Sequence, residues 1–218
     1  MEYNERVTRV VYSLSQMTAD PLPPRRRYSL EEYLAYEESV PTKHEFDDGE
    51  ILAMSGASPE HALITANLTA ALHTGLKGTS CRVYSSDLKI GIPLTGRVLY
   101  PDGTIVCGSL EFHPDDPKHR IVTNPRTIVE VLSPSTASYD RVEKFLAYRS
   151  ILSLQEYVLV SQERPLVETF VKQADGNWLV AGAFIGLEKN ARLASTGSEI
   201  PLTDIYAGVE FEPPEIDH

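Results

Sequence analysis

Several features that commonly reveal a protein's class are scarce or missing in this chain of 218 residues. It has only two cysteines, Cys81 and Cys107, and no Cys-x-x-Cys spacing, which argues against a disulfide framework and against a redox or metal motif. Both cysteines fall in apolar runs, so we expect buried, reduced thiols. No stretch approaches the length of a membrane span, and the first residues lack the apolar core of a secretory signal. We therefore expect a cytoplasmic protein outside the membrane.

Signatures of two large enzyme classes are also absent. The chain contains neither G-x-G-x-x-G nor G-x-x-x-x-G-K-[ST], so a dinucleotide-binding or phosphate-loop NTPase domain has no support. It contains no G-x-S-x-G, and Ser133, Ser135 and Ser138 are therefore not interpreted as a nucleophile elbow. We expect these serines to make turn and cap hydrogen bonds ahead of a helix.

Positive charge is in short supply as well. Twenty Lys and Arg residues face 31 Asp and Glu residues, for a net charge of −11. A protein that grips DNA without sequence preference usually presents a basic face, so this balance argues against nucleic-acid binding through the whole surface. A local basic patch, or an acidic site neutralised by metal, would remove the objection. The run Arg25-Arg26-Arg27 is interpreted as a solvated linker, with a phosphate-contacting arm as the alternative.

The chain is predicted to form an irregular arm over residues 1–27 and a single domain over residues 28–218. A helix should begin after Ser29, because Ser29 and Glu32 have the spacing of a capping box. A hairpin is expected around Asp48-Gly49. A second helix should begin after Ser58, with Pro59 at its first position.

The remaining pattern consists mostly of strands. They are predicted at 81–86, 88–93, 98–107, 126–133, 156–161, 167–172 and 178–183, with a helix at 138–150 and a closing turn near Pro201. This order predicts an α/β fold of the α+β kind, in which a mixed sheet is flanked by helices. The segment from Ser109 to Thr123 is predicted to be a solvated surface loop, although it contains His113, Asp115, Asp116 and His119.

One residue does not fit its surroundings. Glu130 lies in the apolar run Thr127–Ser133, which has the composition of a strand buried on both faces. An ionised carboxylate in such a strand is costly unless it is paired or holds a metal. A satisfied structural acid is the alternative interpretation, but buried carboxylates cluster at functional sites.

Two further residues complete a possible metal site. Asp102 stands at the mouth of another apolar strand, and Lys144 lies on the predicted third helix. Mg²⁺ prefers carboxylate oxygens, and a nearby lysine can stabilise charge that develops on a phosphate. The set predicts phosphodiester hydrolysis with Mg²⁺, or Mn²⁺ in its place. Alternatively, Asp102 is a turn residue beside Gly103, and Lys144 is an i,i+4 partner of Asp140.

These residues also resemble a known family. Pro101-Asp102, the segment Glu130–Thr136, and Lys144 with Tyr148 closely match the Uma family of putative endonucleases, within the PD-(D/E)XK superfamily. The segments at 28–34, 45–51, 58–61 and 154–160 look like further motifs of that family. The resemblance covers about residues 26–183, and its most specific part is Glu-Val-Leu-Ser-Pro-Ser-Thr.

The resemblance implies a restriction endonuclease-like fold and a Mg²⁺ site at Asp102 and Glu130, with DNA as the substrate. It adds Glu45 and His61 at the edge of the site, where Glu45 could hold a metal-bound water and His61 could touch phosphate or shuttle a proton. The superfamily's usual lysine stands two residues after the acid, where this chain has Leu132. Lys144, from the following helix, would replace it.

Other functions stay open from the sequence. The net charge of −11 favours a catalytically inactive module that binds nucleic acid or protein with the same fold. A hydrolase acting on another phosphoester would use the same carboxylates in a small closed pocket. A homodimer is also expected, because two-fold pairs often cut both strands of a duplex. For His61, an ordinary role in the first turn of a helix is the alternative.

Overall fold

A computed structural model describes residues 26–211 of the chain. Most of the predicted arm and the last residues of the tail lie outside this range. The helices are α1 (Leu30–Ser39), α2 (Pro59–Gly75), α3 (Ala137–Tyr139), α4 (Phe145–Tyr148) and α5 (Leu202–Ile205), and a π-helical turn (Asp140–Lys144) joins α3 to α4. The strands are β1 (His44–Asp47), β2 (Glu50–Ala53), β3 (Cys81–Ser85), β4 (Lys89–Ile92), β5 (Arg97–Leu99), β6 (Gly103–Cys107), β7 (Ile121–Val122), β8 (Thr127–Leu132), β9 (Glu156–Ser161), β10 (Leu166–Lys172), β11 (Trp178–Ile185), β12 (Asn190–Leu193) and β13 (Ser198–Pro201).

The strands form two mixed sheets and a ribbon. One sheet has the order β2-β1-β5-β4-β7, the other has the order β11-β10-β9-β8-β6-β3, and β12 pairs with β13. The pairs β8–β9 and β4–β7 are parallel, and the other pairs are antiparallel. The predicted α+β class is therefore confirmed, with the sheet divided into two. No helix within residues 26–211 is both long and apolar enough to cross a membrane.

The division falls inside the strand that was predicted at 98–107. Residues Arg97–Leu99 form β5 of the smaller sheet, and Gly103–Cys107 form β6 of the larger one. Between them lies Pro101, which has no backbone N–H and cannot donate to a strand ladder. Asp102 consequently stands at the passage from one sheet to the other.

Strand β8 carries side chains to both faces of the larger sheet. Val129 and Val131 belong to the core that includes α2, whereas Ile128 and Leu132 belong to the core that includes α4. Glu130 lies between Ile128 and Leu132 in sequence. It shares their face, because side chains two residues apart in a strand point to the same side of the sheet. The larger sheet is thus covered by α2 on one side and by α3, the π-helical turn and α4 on the other.

The predicted helix starts and the hairpin are confirmed. Ser29 and Glu32 form a reciprocal capping box, and the Ser58 side chain accepts from the third residue of α2. Asp48 and Gly49 both have positive φ, at 43° and 92°, as a tight two-residue hairpin turn requires. Helix α2 ends at Gly75.

Two segments differ from the sequence predictions. Asp116 is buried, with 1% of its surface exposed, and accepts hydrogen bonds from the backbone N–H groups of Arg120 and Ile121. The prediction of a solvated loop was therefore wrong at Asp116. Before the predicted turn near Pro201 lies the hairpin β12–β13, which the sequence interpretation missed.

The prediction for the cysteines was also wrong. Cys81 and Cys107 are joined by a disulfide. They lie directly opposite each other in the antiparallel pair β3–β6. The sequence does not reveal this neighbour relation, because 26 positions separate the two residues and only the strand register brings them together.

Candidate active site

Glu130 lies at the centre of the candidate site. The other five residues of its strand, β8, are all β-branched or aliphatic, and all six residues of β8 are buried. Only 1% of the Glu130 surface is exposed. Its Oε1 accepts hydrogen bonds from the Lys144 ammonium and the Tyr148 hydroxyl, each at 3.2 Å. Its Oε2 accepts from the Asp102 backbone N–H at 3.3 Å. The buried carboxylate therefore has donors on both oxygens.

Asp102 stands beside Glu130 because of the strand register. Gly103 of β6 pairs with Val129 of β8, and the antiparallel register brings the preceding Asp102 level with Glu130. The Asp102 Oδ2 accepts from the Val131 backbone N–H at 2.8 Å. Each acid is thus hydrogen-bonded to the backbone at or beside the other acid, which keeps the two carboxylates next to each other.

His61 approaches the same acid from the first turn of α2. Ser58 caps this helix, and its Oγ accepts from the His61 backbone N–H at 3.2 Å. The His61 Nε2 lies 3.2 Å from the Asp102 Oδ2. This hydrogen bond raises the pKa of His61 above its ordinary value, although partial burial opposes the shift. His61 therefore carries a proton at higher pH than a free histidine does.

Lys144 brings a buried positive charge into the site from the π-helical turn. Three carboxylate oxygens surround its Nζ: Asp140 Oδ1 at 3.1 Å, Glu130 Oε1 at 3.2 Å and Glu45 Oε1 at 3.5 Å. Burial acts to lower the pKa of Lys144, but the three neighbouring carboxylates outweigh it and raise the pKa well above its ordinary value. Lys144 is consequently an ammonium ion at neutral pH.

Glu45 reaches the site from the smaller sheet. It is a buried residue of β1, and its Oε2 accepts from the Tyr139 hydroxyl at 3.5 Å. Its Oε1 is buried and has no hydrogen-bond partner among the described residues. The distance of 3.5 Å to Lys144 is that of an ion pair. The site therefore lies where the two sheets meet, with one carboxylate oxygen left without a donor.

The balance of charge in the site is negative. Burial raises the pKa of Glu130 well above its ordinary value, the nearby acids Asp102, Asp140 and Glu45 add to the shift, and Lys144 opposes it. Four carboxyl groups, those of Asp102, Glu130, Asp140 and Glu45, stand against two cationic groups, Lys144 and the protonated form of His61. The net negative charge of the site favours the binding of a further cation.

A divalent metal ion with hard oxygen ligands fits this donor set. Asp102 and Glu130 present adjacent carboxylates, and no described residue donates to the Asp102 Oδ1. Within residues 26–211, no three His, Cys, Asp or Glu side chains are arranged to hold a metal ion by themselves. Two protein carboxylates with water and phosphate completing the shell is the arrangement that Mg²⁺ commonly takes in phosphate chemistry.

The structure brings all five predicted residues together and adds two that the sequence interpretation did not assign to the site. Tyr148 is fully buried, and its hydroxyl donates to Glu130. Asp140 is buried beside Lys144. Both were detectable in principle, because Asp140, Lys144 and Tyr148 are spaced four residues apart and helical residues at that spacing share a face.

Comparison with known proteins identifies the family. The model of the Uma2 family, described as "putative restriction endonuclease", matches residues 30–199. The chain belongs to the Uma2 family. Two relatives of this Uma2 protein come from Synechocystis. The uncharacterized protein slr1290 is 37% identical over 195 residues, which cover 88% of this chain and 97% of slr1290. The uncharacterized protein sll1609 is 38% identical over 149 residues, which cover 68% and 83% of the two chains.

A solved structure agrees with the Uma2 fold. The crystal structure of a putative nuclease of the DUF820 group from Anabaena variabilis superposes with a TM-score of 0.64 over 83% of this chain and 98% of that chain. The two sequences are 15% identical, so the likeness establishes the fold and not the activity. The Uma2 match, whose model is described as a putative restriction endonuclease, supports a nuclease function, whereas the solved structure supports the fold alone.

Proposed function

We propose that this Uma2 protein is a Mg²⁺-dependent endonuclease that hydrolyses DNA phosphodiester bonds. The observation that carries the proposal is the pair of adjacent acids, Asp102 and Glu130, with a buried ammonium 3.2 Å from the second acid. Two carboxylates can hold the metal ion, and a lysine can stabilise the negative charge that develops during hydrolysis of a phosphate diester. Cytoplasmic location, a single domain over residues 28–218 and a homodimer belong to the same proposal.

Asp102 and Glu130 would hold the metal ion. A bound Mg²⁺ or Mn²⁺ supplies a more acidic water and neutralises charge on the phosphate. The protein's contribution is to keep two carboxylates side by side, since the backbone N–H of Asp102 donates to Glu130 and the N–H of Val131 donates to Asp102. Glu45 offers a buried oxygen without a donor, which suits an acceptor for a water at the edge of the site.

Lys144 would act as a fixed positive charge. Its raised pKa keeps it protonated, so it can stabilise negative charge that develops on the scissile phosphate but cannot accept a proton from water. The usual lysine position of the superfamily holds Leu132, whose side chain packs into the core with α4. Lys144 instead reaches Glu130 from the π-helical turn. The contact at 3.2 Å supports the proposal that Lys144 takes the place of the usual lysine of the strand.

His61 would bind phosphate or transfer a proton. The hydrogen bond with Asp102 orients its ring, and the raised pKa favours the charged form near neutral pH. A protonated imidazole can donate a hydrogen bond to a phosphate oxygen or a proton to the leaving oxygen.

A cleavage assay tests the proposal. Wild-type protein is incubated with supercoiled, linear and single-stranded DNA in Mg²⁺, in Mn²⁺ and in a chelator. We expect metal-dependent cleavage that Glu130→Gln lowers by about 100-fold or more, because the neutral amide is a much poorer ligand for Mg²⁺. Glu163→Gln, at an exposed glutamate whose side chain makes no hydrogen bond within residues 26–211, is the matched control and should cleave as wild type does.

Metal binding provides a second measurement. Titration calorimetry should detect Mn²⁺ binding to the wild-type protein and its loss in Asp102→Ala. If a folded wild-type protein cleaves no form of DNA and binds no Mn²⁺, the endonuclease proposal fails. That result would favour an inactive binding module, which the net charge of −11 already made an alternative.

A further inference from the structure

We propose that Asp140 is a positioning residue, which holds the Lys144 ammonium against Glu130. This role rests on the proposed function, because it concerns the same site. Asp140 is outside the pair of acids that would bind the metal, and its side-chain ion pair among the described residues is with Lys144. Its charge adds to the raised pKa of Glu130, but its direct contact is with Lys144, so the positioning role concerns Lys144.

The contacts of Lys144 support this role. The distance from the Asp140 Oδ1 to Nζ is 3.1 Å, the shortest of the three carboxylate contacts that Lys144 makes. An ammonium group has three N–H donors, and three carboxylates surround this one. Asp140 is within hydrogen-bond distance of the ammonium, and Glu45 lies at the longer ion-pair distance of 3.5 Å. Without Asp140, one donor would lose its acceptor in a buried environment, which favours another rotamer of the flexible lysine chain.

The backbone around Asp140 is fixed by the larger sheet. Asp140 and Lys144 stand at the two ends of the π-helical turn, a feature that recurs at functional sites. The Tyr157 hydroxyl donates to the Asp140 backbone carbonyl at 2.8 Å. Tyr157 lies on β9, the parallel neighbour of β8, and pairs with Ile128. The turn that carries the lysine is therefore anchored one strand away from Glu130.

Burial strengthens the effect of Asp140 on the direction of the Lys144 side chain. Asp140 is 3% exposed and Lys144 is 7% exposed. Surface ion pairs of this i,i+4 type contribute little, because solvent screens them and both side chains move. A buried carboxylate that lies 3.1 Å from a buried ammonium restricts its direction far more strongly.

The test measures single-turnover cleavage of supercoiled DNA in Mg²⁺ at increasing protein concentration. Asp140→Asn keeps the size of the side chain and removes its charge. We expect its rate constant at saturating protein to fall roughly 10- to 100-fold, the usual cost of losing an outer partner of a site residue. The half-saturating protein concentration and the Mn²⁺ affinity by calorimetry should match wild type. Asp140→Glu keeps the charge and should retain more of the rate than Asp140→Asn.

Two controls separate positioning from other roles. Glu143→Gln changes an exposed acid of the same π-helical turn and should leave the rate unchanged. In a Lys144→Met background, Asp140→Asn should cause no further loss, because a residue that acts through Lys144 has nothing left to position. Circular dichroism establishes that each variant is folded, and Asp140→Glu replaces Asp140→Asn in the comparison if the latter does not fold.

Three results would overturn the role of Asp140 alone. They are a rate for Asp140→Asn equal to that of Glu143→Gln, a further loss in the Lys144→Met background, and weaker Mn²⁺ binding by Asp140→Asn. Absence of cleavage by the wild-type protein would instead overturn the proposed endonuclease function, and the positioning role with it. The two failures are therefore distinguishable.

Discussion

Asp116 shows how a single side chain can reverse a prediction. The sequence around it is rich in Pro, Asp and His and indicates a solvated loop, yet the carboxylate is buried. Burial acts to raise its pKa, but hydrogen bonds from the backbone N–H groups of Ile121 and Arg120 and from the Arg120 guanidinium outweigh that effect and lower it. The carboxylate thus organises the loop that leads into β7.

We expect Asp116→Asn to lower the free energy of unfolding at pH 7 by about 1–3 kcal/mol, because the amide accepts these hydrogen bonds less well than the carboxylate. The pKa of Asp116 is lowered in the folded state, so its contribution is present above the ordinary aspartate pKa and is lost as the pH falls through the folded value. The difference between wild type and variant should therefore shrink below about pH 4. Urea unfolding at several pH values measures it.

Asp115→Asn serves as the control, since Asp115 is the exposed neighbour of Asp116. It should change stability little at any of these pH values. A cost of Asp116→Asn that stays constant down to pH 3 would contradict the ionic explanation.

At the scale of elements, the cap of α2 links helix stability to the site. The Ser58 side chain accepts from the backbone N–H of His61, and the His61 ring contacts Asp102. A weaker first turn would therefore loosen a residue of the candidate site. Helix α1 has an equivalent cap at Ser29 but carries none of the five candidate residues.

We expect Ser58→Ala to cost about 1 kcal/mol of stability and also to slow DNA cleavage. Ser29→Ala should have a similar effect on stability without an effect on cleavage. Urea unfolding and the Mg²⁺-dependent cleavage assay measure the two properties. Equal cleavage by both variants would mean that the first turn of α2 does not matter for the reaction.

At the scale of the whole molecule, the disulfide ties two strands of the larger sheet. Cys81 on β3 and Cys107 on β6 enclose a segment that includes β4, β5 and the Asp102 turn. Cross-linking such a segment restricts the unfolded chain, and we expect reduction to lower the free energy of unfolding by about 2–4 kcal/mol.

Titration of thiols in denaturant without reductant tests this prediction, and no free thiol is expected. Stability with and without reductant gives the energetic effect, and a Cys81→Ser, Cys107→Ser double variant should be insensitive to reductant. Two titratable thiols in the purified protein would instead support the reduced pair that the composition predicted.

The larger sheet also ends in an edge strand, β11. Among residues 26–211, β11 pairs with β10 alone; it contains no charged residue or proline and exposes apolar side chains such as Leu179, Val180 and Ile185. Sheet edges usually carry charges or prolines that prevent further pairing. In a chain with net charge −11, an edge without carboxylates is where a second copy meets least repulsion, and an antiparallel β11–β11 pair satisfies two-fold symmetry.

We expect the wild-type protein to be a dimer by light scattering and Val180→Lys to be a monomer, because Val180 is 65% exposed on this strand and the substitution would bring one positive charge from each copy to the paired edges. Leu94→Lys is the control, since Leu94 is an exposed apolar residue outside β11. A monomeric wild type, or a dimer that survives Val180→Lys, would exclude this edge as the dimer contact.

The sequence by itself determined most of the local structure and the identity of the central acid. Caps, turns and alternation depend on neighbouring residues, so the starts of α1 and α2, the Asp48-Gly49 hairpin and the direction of Glu130 could be predicted. Glu130 was detectable because its cost in a buried strand can be judged from six adjacent residues.

Only the tertiary structure decided the partners. The register of β6 against β8 sets Asp102 beside Glu130, the meeting of two sheets brings Glu45 to Lys144, and the register of β3 against β6 joins Cys81 to Cys107. These contacts connect residues far apart in sequence. Their geometry depends on strand pairing and on packing between sheets and helices, which leave no local pattern in the chain.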